Sequence, residues 1–297
     1  MNRRIRTFFS RVAATVRSTP AESLLIVFFL VYGFLMVADL LHEDQSEAAS
    51  YLWLYPFGFT LAYILNCLLP AGAVRWVYYL SPLLLAPFFR LDVESWIGEP
   101  SFLTALGLCP VAVLLCRWRK DNASFVGDAV HYARNALFAF GLAGIAHLLV
   151  MAIYYSLRYI FPALPLGDEN KVMEYLAVLF YIGVMPLVFL TFDRGQHGDY
   201  APVRIVDILV NYVLTPALLI YTVILYAYFI KITATWSLPE GGIAYMVFAF
   251  TIIAVVVKAY LPLMGKRTLE WFYGRFSLVS LPALAMFWIG VGRRIGE

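Results

Sequence analysis

The run DILVNYVLTPALLIYTVILYAYFIKI, from Asp207 to Ile232, is apolar enough to cross a bilayer yet carries an Asp, an Asn, two Thr and a Pro. A helix advances about 100° per residue. With Asp207 at zero, Asn211 falls at about 40°, Thr215 at about 80°, Thr222 at about 60° and Tyr226 at about 100°. These side chains form one polar seam, and Leu209, Val213, Leu219, Val223 and Ile230 cover much of the remainder. A polar group left unsatisfied in hydrocarbon costs several kcal/mol, so the seam must face other helices or water. Two chemistries suit it. The amide and hydroxyls can bond neighbouring helices, at about 0.6 kcal/mol each on average. Alternatively, they line a water-filled path. Asp207 stands at the start of the run, where a carboxylate caps helix N–H groups. Pro216 deprives the Tyr212 carbonyl of its usual donor, which predicts a kink, with Thr215 or a neighbouring helix serving the freed group.

A second candidate lies in AFGLAGIAHLLVMAIYYSLR, which places His147 near the middle of an apolar run. Ala139 and Ala143 precede it at four-residue steps, so His147 sits on a face where another helix can approach closely. An ionisable group at that depth is a functional candidate, although a neutral His sharing a hydrogen bond with a neighbouring helix is the plainer role. Arg134, Asn135 and Lys258, near span ends, read as snorkelling or packing residues.

Other chemistry is hard to find. The sequence contains no GxxxxGK[ST], HExxH or GxSxG motif. Its four histidines, His42, His131, His147 and His197, are scattered along the chain. His197 and Asp199, in GQHGD, read as a solvated turn between glycines. Cys67, Cys109 and Cys116 form no CxxC pair and read as small apolar filler. No catalytic set, metal or cofactor is expected.

The elements that must carry these residues follow from composition. The 297 residues are 62% hydrophobic and 14% charged, against about 45–50% and about 25% in soluble domains. Continuous apolar runs of membrane-spanning length predict an all-α polytopic transmembrane bundle, and their lack of period-two alternation argues against a β-barrel. Nine spans are expected, at 22–41, 51–69, 74–90, 101–117, 129–160, 172–192, 206–232, 242–263 and 276–292. In the third, Pro82 and Pro87 point to a broken or re-entrant segment. The loops are short and leave no room for a soluble catalytic domain. The net charge of +3 sits in loops, so nucleic acid is not an expected partner.

Before the first span, Ile5, Phe8, Phe9, Val12 and Val16 share one helical face, while Arg4, Arg11 and Arg17 fall elsewhere. Residues 1–21 therefore read as a basic amphipathic segment for the headgroup region or a basic tail that sets orientation. Residues 22–297 read as a single transmembrane domain. Lys and Arg gather in alternate loops, including Arg117, Arg119, Lys120, Lys266 and Arg267. The intervening loops carry Glu43, Asp44, Glu47, Asp92, Glu94, Glu99, Asp168 and Glu169. This bias predicts a cytoplasmic N-terminus. Arg293 and Arg294 fall on the outer side, and the chain stops at GRRIGE directly after a span. Two readings stay open: a short basic terminus that violates the charge bias, or natural chain that continues beyond Glu297.

The stretch from Val206 to Gly292 resembles an uncharacterised family of bacterial multi-pass membrane proteins, catalogued as a domain of unknown function. The features behind the resemblance are the Tyr-rich helix NYVLTPALLIYTVILYAYFIKI with its central Pro, the WSLPEG turn, and KRTLEWFYGRFSLVSLPALAMFWIGVGRRI ending in an arginine pair. The resemblance implies a bacterial inner membrane and a longer chain, and brings no reaction with it. The leading expectation is permeation or transport of a small solute or ion along Asn211, Thr215, Thr222 and His147. The alternative is a non-catalytic scaffold or sensor subunit that binds a membrane-protein partner, or a second copy, through its spans. A lipid-directed enzyme would require carboxylates such as Glu94 and Asp168 to converge from separate loops.

Overall fold

The computed structural model describes residues 3–41, 45–69, 75–90, 92–116, 122–193, 207, 209–235, 242–260, 270–282, 284–285 and 288. The GQHGD and WSLPEG turns and the Arg293–Arg294 pair lie outside them. The described elements are helical: α1 (Arg3–Ser18), α2 (Pro20–Val37), α3 (Gln45–Tyr51), α4 (Tyr55–Leu68), α5 (Arg75–Leu80), α6 (Val93–Ile97), α7 (Pro100–Cys116), α8 (Asn122–Ile160), α9 (Glu169–Ala177), α10 (Met185–Asp193), α11 (Thr215–Thr235), α12 (Gly242–Tyr260), α13 (Glu270–Gly274) and α14 (Phe276–Val279). A 3-10 turn, Leu52–Leu54, joins α3 to α4, and π-helical segments, Val178–Val184 and Val210–Leu214, lead into α10 and α11.

Among the described residues, five helical stretches are long and apolar enough to cross a membrane: Pro20–Val37, Gln45–Leu68, Phe125–Ile160, Glu169–Asp193 and Val210–Ala234. Pro100–Cys116 and Phe250–Tyr260 are shorter apolar helices. The protein is an all-helical membrane bundle. The segment expected at 74–90 is broken, the alternative to which Pro82 and Pro87 pointed. It is the six-residue α5 followed by a 3-10 segment, Ser81–Arg90. Pro82 and Pro87 each lack an N–H, which breaks the i→i−4 ladder an α-helical span would need.

Both π segments have the same cause. Each ends two residues before a proline, Pro186 or Pro216, and the intervening residue's N–H bonds five residues back, Met185 to Phe180 and Thr215 to Val210. A proline ring clashes with the carbonyl four residues earlier, and the wider turn accommodates that carbonyl without breaking the helix.

The chain divides into two compact units, Met1–Gly144 with Asp168–Asp199 and Ile145–Gly167 with Tyr200–Glu297. In the first, α2 packs on α4 and the Val178–Val184 segment, around Leu25, Phe29, Tyr55, Tyr63 and Leu190. Gly33 is essential to that approach, because a Cβ there would sit 2.8 Å from Val178 Cγ1. α2 ends with Asp39 at φ 56°, where its N–H bonds Met36 O and the Leu40 N–H bonds Leu35 O. This is a helix-closing turn that usually employs glycine. The Asp39 carboxylate is held by Lys171 Nζ at 2.5 Å. In the second unit, Leu218, Leu225 and Tyr228 of α11 pack with Phe250 and Ala254 of α12, and with Phe272 and Phe276.

Candidate functional site

The seam of α11 is buried and hydrogen-bonded within its own unit. Asn211 Nδ2 donates to the Asp207 carbonyl at 2.8 Å, and the Thr222 hydroxyl donates to Leu218 O at 2.7 Å. Thr215 Oγ1 lies 2.6 Å from Val210 O and 2.6 Å from the Tyr273 hydroxyl. Its single proton goes to the carbonyl, so Tyr273 is the donor of the second bond. The Thr215 hydroxyl thus serves Val210 O, which also accepts the Thr215 N–H across the π turn, rather than the Tyr212 carbonyl expected from an α-helix. Tyr226 donates to Val279 O at 3.1 Å, and Tyr260 reaches Asp207 Oδ1 at 3.4 Å. The seam therefore faces α12, α13 and α14. Beside Thr222 the space is ≈ 10 Å³, walled by Leu225, Tyr226, Phe250, Val279 and Pro282. One water needs about 10–15 Å³ and several polar partners. His147 belongs to the same unit and is half-buried on α8.

Sequence reasoning overlooked the strongest polar cluster, which lies in the first unit. Glu22, fully buried in the first turn of α2, accepts from Tyr78 at 2.5 Å on Oε2 and from Asn66 Nδ2 at 2.8 Å on Oε1. The Tyr78 hydroxyl also accepts from the Ala21 N–H at 3.2 Å. Three residues before Asn66 on α4, Tyr63 donates to Asp193 Oδ2 at 2.6 Å, and both residues are buried. A Glu at the head of an uncharged apolar run was the available signal for the first carboxylate. Its uncharged partners on α4 and α5 gave none.

On α8, His131 lies between Arg134 Nη2 and the Asn135 amide, each 2.9 Å from a ring nitrogen. Arg134 can only donate, so Nδ1 is the acceptor and Nε2 carries the proton. Asn135 then presents its oxygen to Nε2, which also accounts for an amide oxygen otherwise buried without a partner. Arg134 and Asn135 thus orient an imidazole. Among the described residues, no three His, Cys, Asp or Glu side chains converge as metal ligands.

An apolar groove of ≈ 700 Å³ lies in the first unit. Its walls come from α3–α4, α8 and the α9–α10 stretch, with Trp53, Phe59, Tyr132, Tyr181, Met185 and Phe189 prominent.

The chain is 22% identical over 294 residues to "Uncharacterized protein PM1469" of Pasteurella multocida (strain Pm70). The match covers 98% of this chain and 49% of that protein, so the chain spans about half the length of the curated relative it matches. No family model matches the chain, and no solved structure matches it. The relative is itself uncharacterised, in keeping with the resemblance to an uncharacterised family, and names no activity.

Proposed function

We propose that this chain is a non-conducting scaffold or sensor subunit of a bacterial inner membrane, with its N-terminus cytoplasmic, which meets a membrane-protein partner through its spans. The observation that carries this reading is the double engagement of the Thr215 hydroxyl, buried between Val210 O and Tyr273. A group that lines a path must exchange bonds with passing water or solute, whereas the Val210 bond closes the helix's own π turn and the Tyr273 bond ties α11 to α13. The α8 span supports the partner-binding part. Its apolar window is 11% buried, against 44% for Pro20–Val37. Val126, Val130, Leu137, Phe140 and Leu148 remain exposed along it. Loop charge supports the orientation.

The test is flux in proteoliposomes made from the full chain. No leak of small ions or solutes above empty vesicles is expected. A leak through the wild-type protein that Thr222→Trp abolishes would restore permeation and end the scaffold reading.

A further inference from the structure

The groove of the first unit matches one kind of occupant. Its walls belong to three of the apolar spans, so hydrocarbon surrounds it. Trp53 and Tyr181 line it and are themselves 49% and 37% exposed, so its mouth opens on the surface that faces the bilayer. No charged residue is among its lining residues. Its ≈ 700 Å³ falls within the about 300–1,000 Å³ typical of sites for small apolar ligands.

Length narrows the choice further. Along one wall the lining runs from Ala49 to Thr60, and along the other from Ala177 to Phe189. At about 1.5 Å per residue each wall is about 17–18 Å long, close to half of an about 30 Å hydrocarbon core. A single chain from one leaflet fits that length. A partner helix suits the groove less well. Helices approach one another in membranes through small residues, and here rings project from both walls, with Phe189 at 5.2 Å from Tyr132 and 6.4 Å from Phe59.

The groove also has a built cause. The wide turn forced by Pro186 places Val178, Tyr181 and Ile182 in the wall, while Gly33 and Gly183 let α2 close on the opposite side of that turn. Tyr55, another wall residue, has a buried hydroxyl with no hydrogen-bond partner among the described residues. Apart from such hydroxyls and Thr60, the wall offers ring faces and aliphatic side chains.

We infer that this groove binds one acyl chain of a membrane phospholipid, held between the aromatic faces of α4, α8 and the Val178–Val184 turn. This site is independent of the packing role assigned to α11.

The test reconstitutes the full chain in nanodiscs that contain phosphatidylethanolamine with a diazirine in one acyl chain, followed by irradiation and peptide mapping. Adducts should concentrate on the peptides holding Phe59, Tyr181 and Met185, several-fold above the exposed faces marked by Leu148 and Val223. Ala136→Trp should fill the groove and remove the adducts there while leaving those elsewhere. Ala177→Phe, from the opposite wall, should do the same and serves if the first variant fails to fold. Labelling that simply follows exposure, or that survives groove filling in a folded variant, would overturn the inference. A stoichiometric polypeptide that blocks labelling of these residues would also overturn it, by making the occupant a protein.

Discussion

Replacing Tyr78 with Phe removes one oxygen atom from a buried network and leaves the ring in place. The lost hydroxyl donates to Glu22 Oε2 at 2.5 Å and accepts from the Ala21 N–H at 3.2 Å. A hydrogen bond to a charged group contributes about 1.5–3 kcal/mol, and a buried group left without its partner costs about 1–3 kcal/mol. Unfolded chains within a membrane or micelle also find polar partners, which reduces the net effect. The expected destabilisation is about 3 kcal/mol. At about 2–4 °C per kcal/mol for a unit of this size, the thermal midpoint falls by about 6–12 °C. The assay can use the protein's own thiols. Cys67, Cys109 and Cys116 form no disulfide and are partly buried, so a fluorogenic thiol dye reports unfolding in detergent. Tyr79→Phe is the control, since that ring is exposed and a surface change is worth within about 0.5 kcal/mol. Equal midpoints for Tyr78→Phe and Tyr79→Phe would refute the reasoning, because Glu22 would then not depend on the Tyr78 hydroxyl.

Further predictions concern packing, coupling and surface charge. Gly33→Ala forces Cβ against the stiff Val178 side chain and should cost about 1–3 kcal/mol, with recovery in the Gly33→Ala, Val178→Ala double variant, read by the same dye assay. A double-mutant cycle of Thr215→Val and Tyr273→Phe should give a coupling of about 0.6–1.7 kcal/mol, and zero coupling would deny the bond that ties α11 to α13. The Asp39 carboxylate holds Lys171 Nζ in an exposed ion pair. Asp39→Asn should speed reductive methylation of Lys171, measured by mass spectrometry at alkaline pH. Asp92 caps α6, and its bond from the Ser95 N–H lowers its pKa. The cap is complete above about pH 3.9 and lost as pH falls through the lowered value, which a carboxyl NMR titration would follow.

The class of fold was legible because hydrocarbon imposes a length and a composition that no soluble helix shares. The sequence also showed that Asp207, Asn211, Thr215, Thr222 and Tyr226 recur at helical spacing. What they bond to was not legible. Pro216 announced a local disturbance, but whether a helix answers with a kink or with a π turn depends on packing at the i−4 carbonyl. The Thr215 hydroxyl consequently serves Val210, not Tyr212. The Glu22 and Asp193 sites escaped because their partners, Asn66, Tyr78 and Tyr63, lie on other helices and carry no charge that would advertise the pairing. The groove is further still from the sequence. It depends on where a π turn in one span lies against rings from two others.

Aqueous thiol-reagent labelling tests the central claim most directly, in a background with Cys67, Cys109 and Cys116 replaced. Single cysteines would be placed at Asn211, Thr222 and His147, with Val223→Cys on the exposed apolar face and Glu94→Cys in a loop as controls. A scaffold whose seam is packed between helices predicts rapid labelling at position 94 and none at 211, 222, 147 or 223. Rapid labelling at 211, 222 and 147 with 223 silent would contradict the account and make the seam the wall of a water-filled path.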